Sequence, residues 1–140
     1  MAAQTSALLT ALHIERASVL GWSMGGMVAQ ALAVGHPDQV GHLVLAATQP
    51  GTGKALPVPA AAAAALTSPN VMTLLGVLFP SDQMPAALAY AQSTLTYPDR
   101  YQASAAVISA QSAALGQWIA GDDRRPSGEP RHPSALVLGR

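Results

Sequence analysis

The alternation of apolar and polar positions divides the first fifty residues into four segments of two kinds. Leu8, Leu9 and Leu12 recur at helical spacing, which predicts a helix over residues 6–12, and His13-Ile14-Glu15-Arg16 breaks that pattern. Residues 17–20 form a short apolar run of the kind found in strands covered on both faces. Residues 24–34, rich in Ala, Met and Val, predict a second helix, which Gly35-His36-Pro37-Asp38 stops. Residues 40–47 (VGHLVLAA) repeat the buried-strand pattern. The order helix, strand, helix, strand predicts a parallel sheet joined by a right-handed crossover.

The pattern changes after Thr48. Three prolines and two glycines within residues 49–59 predict a loop, and Pro59 is placed for the first turn of a helix through the alanine run 60–65. Further helices are predicted over 71–79, 86–95 and 101–120, separated by Pro80, Pro85 and Tyr97-Pro98. Residues 122–133 mix charge, proline and glycine and predict an exposed linker, after which 134–138 (SALVL) predict a third buried strand. The expected organisation is an α/β core piece over 1–49, a helical segment over 50–121, a linker over 122–133 and a returning core strand over 134–140.

Composition narrows the function. The chain has 140 residues, half of them hydrophobic and a tenth charged, and its seven basic residues balance seven acidic ones. Such a surface gives no electrostatic footprint for nucleic acid or an anionic membrane. Cysteine is absent, which excludes thiol nucleophiles and disulfide scaffolds. No cleavable leader pattern or apolar run near 18 residues occurs, so the expectation is a cytoplasmic protein. No His or carboxylate spacing suggests a metal, and Gly25-Gly26 lacks the lysine and hydroxyl of a phosphate loop, so no cofactor is expected.

The chemistry concentrates at one junction. Gly21-Trp22-Ser23-Met24-Gly25 fits G-x-S-x-G between a predicted strand and a predicted helix, the context in which that pattern forms a nucleophile elbow. Glycines two before and two after the serine, with Gly26 beyond, are expected to leave room where a side chain would clash in a strained turn. The helix start behind Ser23 aims N–H groups and partial positive charge at the point where an oxyanion would form, and the Met24 N–H is the natural donor.

The stretch ERASVLGWSMGGMVAQALAVGHPDQVGHLVLAAT resembles the nucleophile-elbow region of the α/β-hydrolase superfamily, of the cap-containing esterase, lactonase, haloalkane dehalogenase and cofactor-free haloperoxidase kind. The resemblance covers residues 2–53 and continues weakly through the helical segment, which is similar to the cap of those proteins. It implies an α/β-hydrolase core of about three parallel strands with a helical cap. Ser23 would be the nucleophile, Met24 an oxyanion-hole donor and Trp22 a residue at the active-site mouth. The substrate implied is a small apolar ester or lactone. Serine at this position, rather than aspartate, implies acyl transfer or perhydrolase-type chemistry.

The resemblance also implies partners for Ser23 that the chain does not place. The family's second oxyanion donor precedes the matched region, and its acid and histidine follow the strand matched by 135–138. Of the four histidines, His13 and His42 fall near the amino ends of predicted strands, His36 lies at the far end of the second helix, and His132 lies in the linker. Thr48-Gln49-Pro50, where some relatives carry the acid, has no carboxylate, and Asp122-Asp123 beside Arg124-Arg125 reads as a solvated loop. Met72, Leu74, Leu75, Leu78 and Phe79 read as core of the helical segment, some of them able to line an apolar pocket. Two functions therefore stand: a serine hydrolase of ester bonds, and a catalytically incomplete fragment or non-enzymatic module. The first strand is expected to expose an apolar edge, so self-association is expected.

Overall fold

The computed structural model describes residues 1–51, 56–66, 68, 70–97, 103–121 and 135–138. The expected linker, with Asp122, Asp123 and His132, lies outside the described residues. The chain divides into two compact units, one made of Met1–Leu56 and Ser109–Arg140, the other of Pro57–Ile108.

The first unit holds helix α1 (Ala2–Ala11), strand β1 (Ala17–Trp22), helix α2 (Met24–Gly35), strand β2 (Val40–Ala46) and strand β3 (Ala135–Leu138). The strands form one parallel sheet in the order β1-β2-β3. Its core is Ala29, Leu32 and Ala33 of α2 against Val40, Leu43 and Leu45 of β2, bordered by Ala2, Leu9 and Val19. The uneven spacing of the three β2 residues has a local cause. The β1–β2 register shifts so that Ala17 faces Val40 but Ser18 faces His42, which leaves Gly41 as an extra residue. That bulge restores Val40 to the face shared by Leu43 and Leu45.

Coverage of the sheet differs from the expectation of strands buried on both faces. In β1, Ala17, Val19 and Gly21 are wholly or partly buried, whereas Ser18, Leu20 and Trp22 are exposed. Leu20 keeps 69% of its surface and Trp22 59%. The apolar run over 17–20 records the hydrophobicity of both faces, but among the described residues helix cover lies on only one of them.

Helix α6 (Ala105–Ala120) crosses the boundary between the units. It starts at Ala105 with Ser104 Oγ accepting from the Val107 N–H at 3.3 Å, four residues later than the pattern predicts. The second unit also contains helices α3 (Ala60–Leu66), α4 (Val71–Leu78) and α5 (Met84–Thr96), with a short 3₁₀ turn at Ser81–Gln83. Asn70 caps α4, its Oδ1 accepting from the Met72 and Thr73 N–H groups at 2.9 and 3.4 Å. Pro85 does not separate helices as expected; it sits in the first turn of α5, where its missing N–H costs nothing. Ala65, Leu75 and Ala87 are buried, and the Phe79 and Tyr90 rings pack at 5.9 Å between centroids. Of the expected core residues here, Leu75 is buried and Leu74 and Phe79 are half-buried, but Met72 and Leu78 are exposed, because six of the eight residues of α4 are hydrophobic and one face alone is covered. No described helix is long and apolar enough to cross a membrane.

Candidate active site

β1 and α2 meet at Ser23 with no intervening loop, so the chain must reverse within one residue. It does so at φ 52° and ψ −123°, a region that a residue bearing Cβ enters only at a cost of about 1–3 kcal/mol. The backbone of Ser23 is held at two atoms. Its N–H donates to the Ala46 carbonyl at 3.0 Å, and its own carbonyl accepts from the Gly26 N–H at 2.9 Å and from Thr48 Oγ1 at 2.7 Å. The side chain is left exposed at the carboxyl end of β1.

The glycines around Ser23 divide by position. A Cβ on Gly21 would lie 2.6 Å from the Gly25 carbonyl and the Gly26 Cα and 2.8 Å from the Ala29 Cβ. One on Gly26 would lie 2.5 Å from the Thr48 Cβ. Gly25, expected to be a steric necessity as well, has nothing within 4 Å of its Cβ direction. The strand therefore approaches the helix through Gly21, the end of β2 approaches it through Gly26, and Gly25 points into open space.

Met24 is the first residue of α2, and among the described residues its N–H has no backbone partner outside the helix. The amino end of α2, with the positive end of its dipole, follows Ser23 directly, and of its first-turn amides that of Gly26 is already bonded to the Ser23 carbonyl. Trp22, the last residue of β1, is exposed beside Ser23.

Sequence reasoning did not assign Thr48 and Gln30 to this site. Ala47, at φ 46°, turns the chain off β2 and delivers Thr48 onto Ser23 and Gly26. Gln30 Nε2 donates to the Gly26 carbonyl at 3.2 Å and the Gln49 carbonyl at 3.1 Å, tying α2 to the segment after β2. The sequence holds no local signal for either, since Thr48 and Ser23 lie 25 residues apart.

The described histidines lie elsewhere. His36 caps the far end of α2, with Nδ1 hydrogen-bonded to Ser6 Oγ at 3.2 Å. Twelve residues of helix separate it from Ser23, about 18 Å. His42 pairs across the sheet with Ser18, at 3.2 Å from its Oγ, four rungs or about 13 Å before the end of β1. His13 precedes β1 at φ 56°. No cluster of three metal-ligating side chains occurs among the described residues.

A family model for the alpha/beta hydrolase fold matches residues 1–69, which contain α1, β1, the elbow, α2 and β2. Residues 1–69 match the α/β-hydrolase family, and the chain has the fold of an α/β-hydrolase fragment. Over 43 residues it is 51% identical to a pimeloyl-[acyl-carrier protein] methyl ester esterase of Chromobacterium violaceum, covering 31% of this chain and 17% of that protein. Over 34 residues it is 50% identical to the biotin biosynthesis bifunctional protein BioHC of Teredinibacter turnerae, covering 24% of this chain and 6% of that one. Among solved structures, a hydrolase from Pseudomonas aeruginosa superposes with a TM-score of 0.53 at 26% identity, covering 99% of this chain and 52% of that chain. A meta-cleavage product hydrolase from Pseudomonas fluorescens superposes at 0.55 and 18% identity, covering 93% of this chain and 48% of that chain, which bears on the fold alone. The chain thus spans about half the length of these two hydrolase structures.

Proposed function

We propose that Ser23 is the nucleophile of a serine hydrolase acting on a small, uncharged carboxylic ester or lactone. The observation that carries this reading is an exposed serine at positive φ, held by its backbone at the start of α2 beside the N–H of Met24. A base removes the hydroxyl proton as Ser23 Oγ attacks the carbonyl carbon, and the tetrahedral oxyanion accepts from the Met24 N–H. Collapse expels the alcohol, which takes the proton back from the base, and leaves an acyl ester on Ser23. Water, deprotonated by the same base, releases the acid. Trp22, exposed beside Ser23, flanks the mouth. An esterase among the relatives supports ester chemistry over other reactions of the superfamily.

His36 and His42 stand well away from Ser23, so the base comes from outside the described residues. This favours a second reading for the 140-residue chain taken alone, that of a catalytically incomplete piece with the elbow intact. Serine hydrolases stripped of triad members keep about 10³- to 10⁴-fold catalysis over water. Turnover of p-nitrophenyl acetate and butyrate by this chain is therefore expected to be slow and to fall to the buffer rate in Ser23→Ala. Rapid turnover that survives Ser23→Ala would overturn the assignment of the nucleophile.

A further inference from the structure

The peptide that joins Ser23 to Met24 is one planar, conjugated group whose two ends meet different surroundings. Its oxygen, the Ser23 carbonyl, accepts from the Gly26 N–H at 2.9 Å and from Thr48 Oγ1 at 2.7 Å. Its N–H, that of Met24, has no backbone partner outside α2 among the described residues. The Gly26 bond closes the first turn of the helix, whereas the Thr48 bond comes from a side chain delivered past the end of β2. That side chain is held in place. A Cβ on Gly26 would fall 2.5 Å from Thr48 Cβ and 2.6 Å from both its Cγ2 and its Oγ1, so the branched side chain packs flat on the bare Gly26 Cα, which fixes its rotamer. The backbone on either side of Thr48 is set by the Ala47 turn at φ 46° and by Gln30 Nε2, which donates to the Gln49 carbonyl at 3.1 Å.

We infer that Thr48 is a positioning residue for the reaction at Ser23, its hydroxyl polarising and orienting the Ser23–Met24 peptide so that the Met24 N–H is a stronger and better-aimed donor. Hydrogen bonds on a carbonyl oxygen draw electron density from the amide nitrogen and leave its N–H more positive, which strengthens the bond that N–H makes by about 10–30%. In a trans peptide the N–H points opposite to the carbonyl, so pinning the oxygen also pins the direction of the donor. The gain is largest when a full charge develops on the acceptor, as on a tetrahedral oxyanion, and small for a neutral ester carbonyl. Thr48 therefore acts through the peptide and favours the transition state over bound substrate. Its link to the oxyanion rests on the proposed function, whereas the polarised peptide does not.

Thr48→Val keeps the branched shape and removes the hydroxyl, and Thr48→Ser keeps the hydroxyl and removes the methyl. In nuclear magnetic resonance spectra of the isotope-labelled chain, Thr48→Val is expected to move the Ser23 carbonyl carbon and the Met24 amide nitrogen and proton upfield, and Thr48→Ser to leave them near their wild-type positions. Loss of a direct oxyanion donor costs about 10²- to 10³-fold in rate, so loss of a group acting through the peptide is expected to slow fluorophosphonate modification of Ser23 about tenfold in Thr48→Val, with Thr48→Ser within about threefold of wild type. A merely structural role would make the rate follow the urea unfolding midpoint; here it follows the hydroxyl. If Thr48→Val does not fold, Thr48→Ala is read in its place. Resonances that do not follow the hydroxyl, a Thr48→Val rate equal to wild type, or a Thr48→Ser rate as slow as that of Thr48→Val overturns the proposal. Resonances that follow the hydroxyl on a Ser23 that takes no probe would leave the polarised peptide standing and remove the nucleophile reading.

Discussion

At the scale of single residues, Gly21, Gly25 and Gly26 look equivalent in the sequence but meet different surroundings. A methyl group on Gly21 would overlap backbone at Gly25 and Gly26 that cannot move without shifting α2. Gly21→Ala is therefore expected to lower stability by about 3 kcal/mol in urea unfolding. Gly26→Ala meets the Thr48 side chain, whose displacement also removes its bond to the Ser23 carbonyl, and is expected to cost about 2 kcal/mol. Gly25→Ala meets nothing and lies within α2, so it is expected to gain about 0.5–1 kcal/mol. Equal losses at all three positions would show that the elbow packs differently. Ser23→Gly removes the strain at φ 52° and is expected to raise stability by about 1 kcal/mol while abolishing reaction at the site. A serine kept at such an angle when glycine would fit more easily fits a chemical role for its hydroxyl.

At the scale of elements, α2 supports both the core and the site. Leu32 is fully buried against β2, and Leu32→Ala is expected to cost about 2–5 kcal/mol and to loosen the elbow with it, read as a joint loss of cooperative unfolding and of site reactivity. Asn70→Ala removes the cap of α4 and is expected to cost about 1 kcal/mol, with reactivity at Ser23 unchanged. These elements were legible in the sequence because each follows from neighbours within a turn or two: apolar spacing for α1 and α2, a short apolar run for β2, and glycines around a serine for the elbow. What was not legible depends on residues distant in the chain. The bulge at Gly41 needs the partner strand, and the Thr48 clamp needs a turn at Ala47 to reach a serine 25 positions earlier. The room left by a glycine depends on what faces it, which is why the motif alone did not separate Gly25 from Gly26.

At the scale of the whole molecule, the described sheet carries helices on one face and leaves Leu20 and Trp22 exposed on the other, with β1 at its edge. Apolar side chains beside an unpaired row of strand N–H and C=O groups favour association with another copy. Sedimentation velocity is expected to show a coefficient that rises with concentration, and Leu20→Lys is expected to suppress the rise by placing charge on that face. A single monomeric species at all concentrations would contradict this.

The most direct test of Ser23 as a nucleophile is intact-mass and peptide mapping of the folded chain after prolonged exposure to a fluorophosphonate, with Ser23→Ala and the urea-unfolded chain alongside. One slowly forming adduct is expected, confined to Ser23 and absent both from the mutant and from the unfolded chain. Absence of an adduct on folded protein, or adducts spread over the serines as in the unfolded chain, would mean that the elbow gives Ser23 no special reactivity.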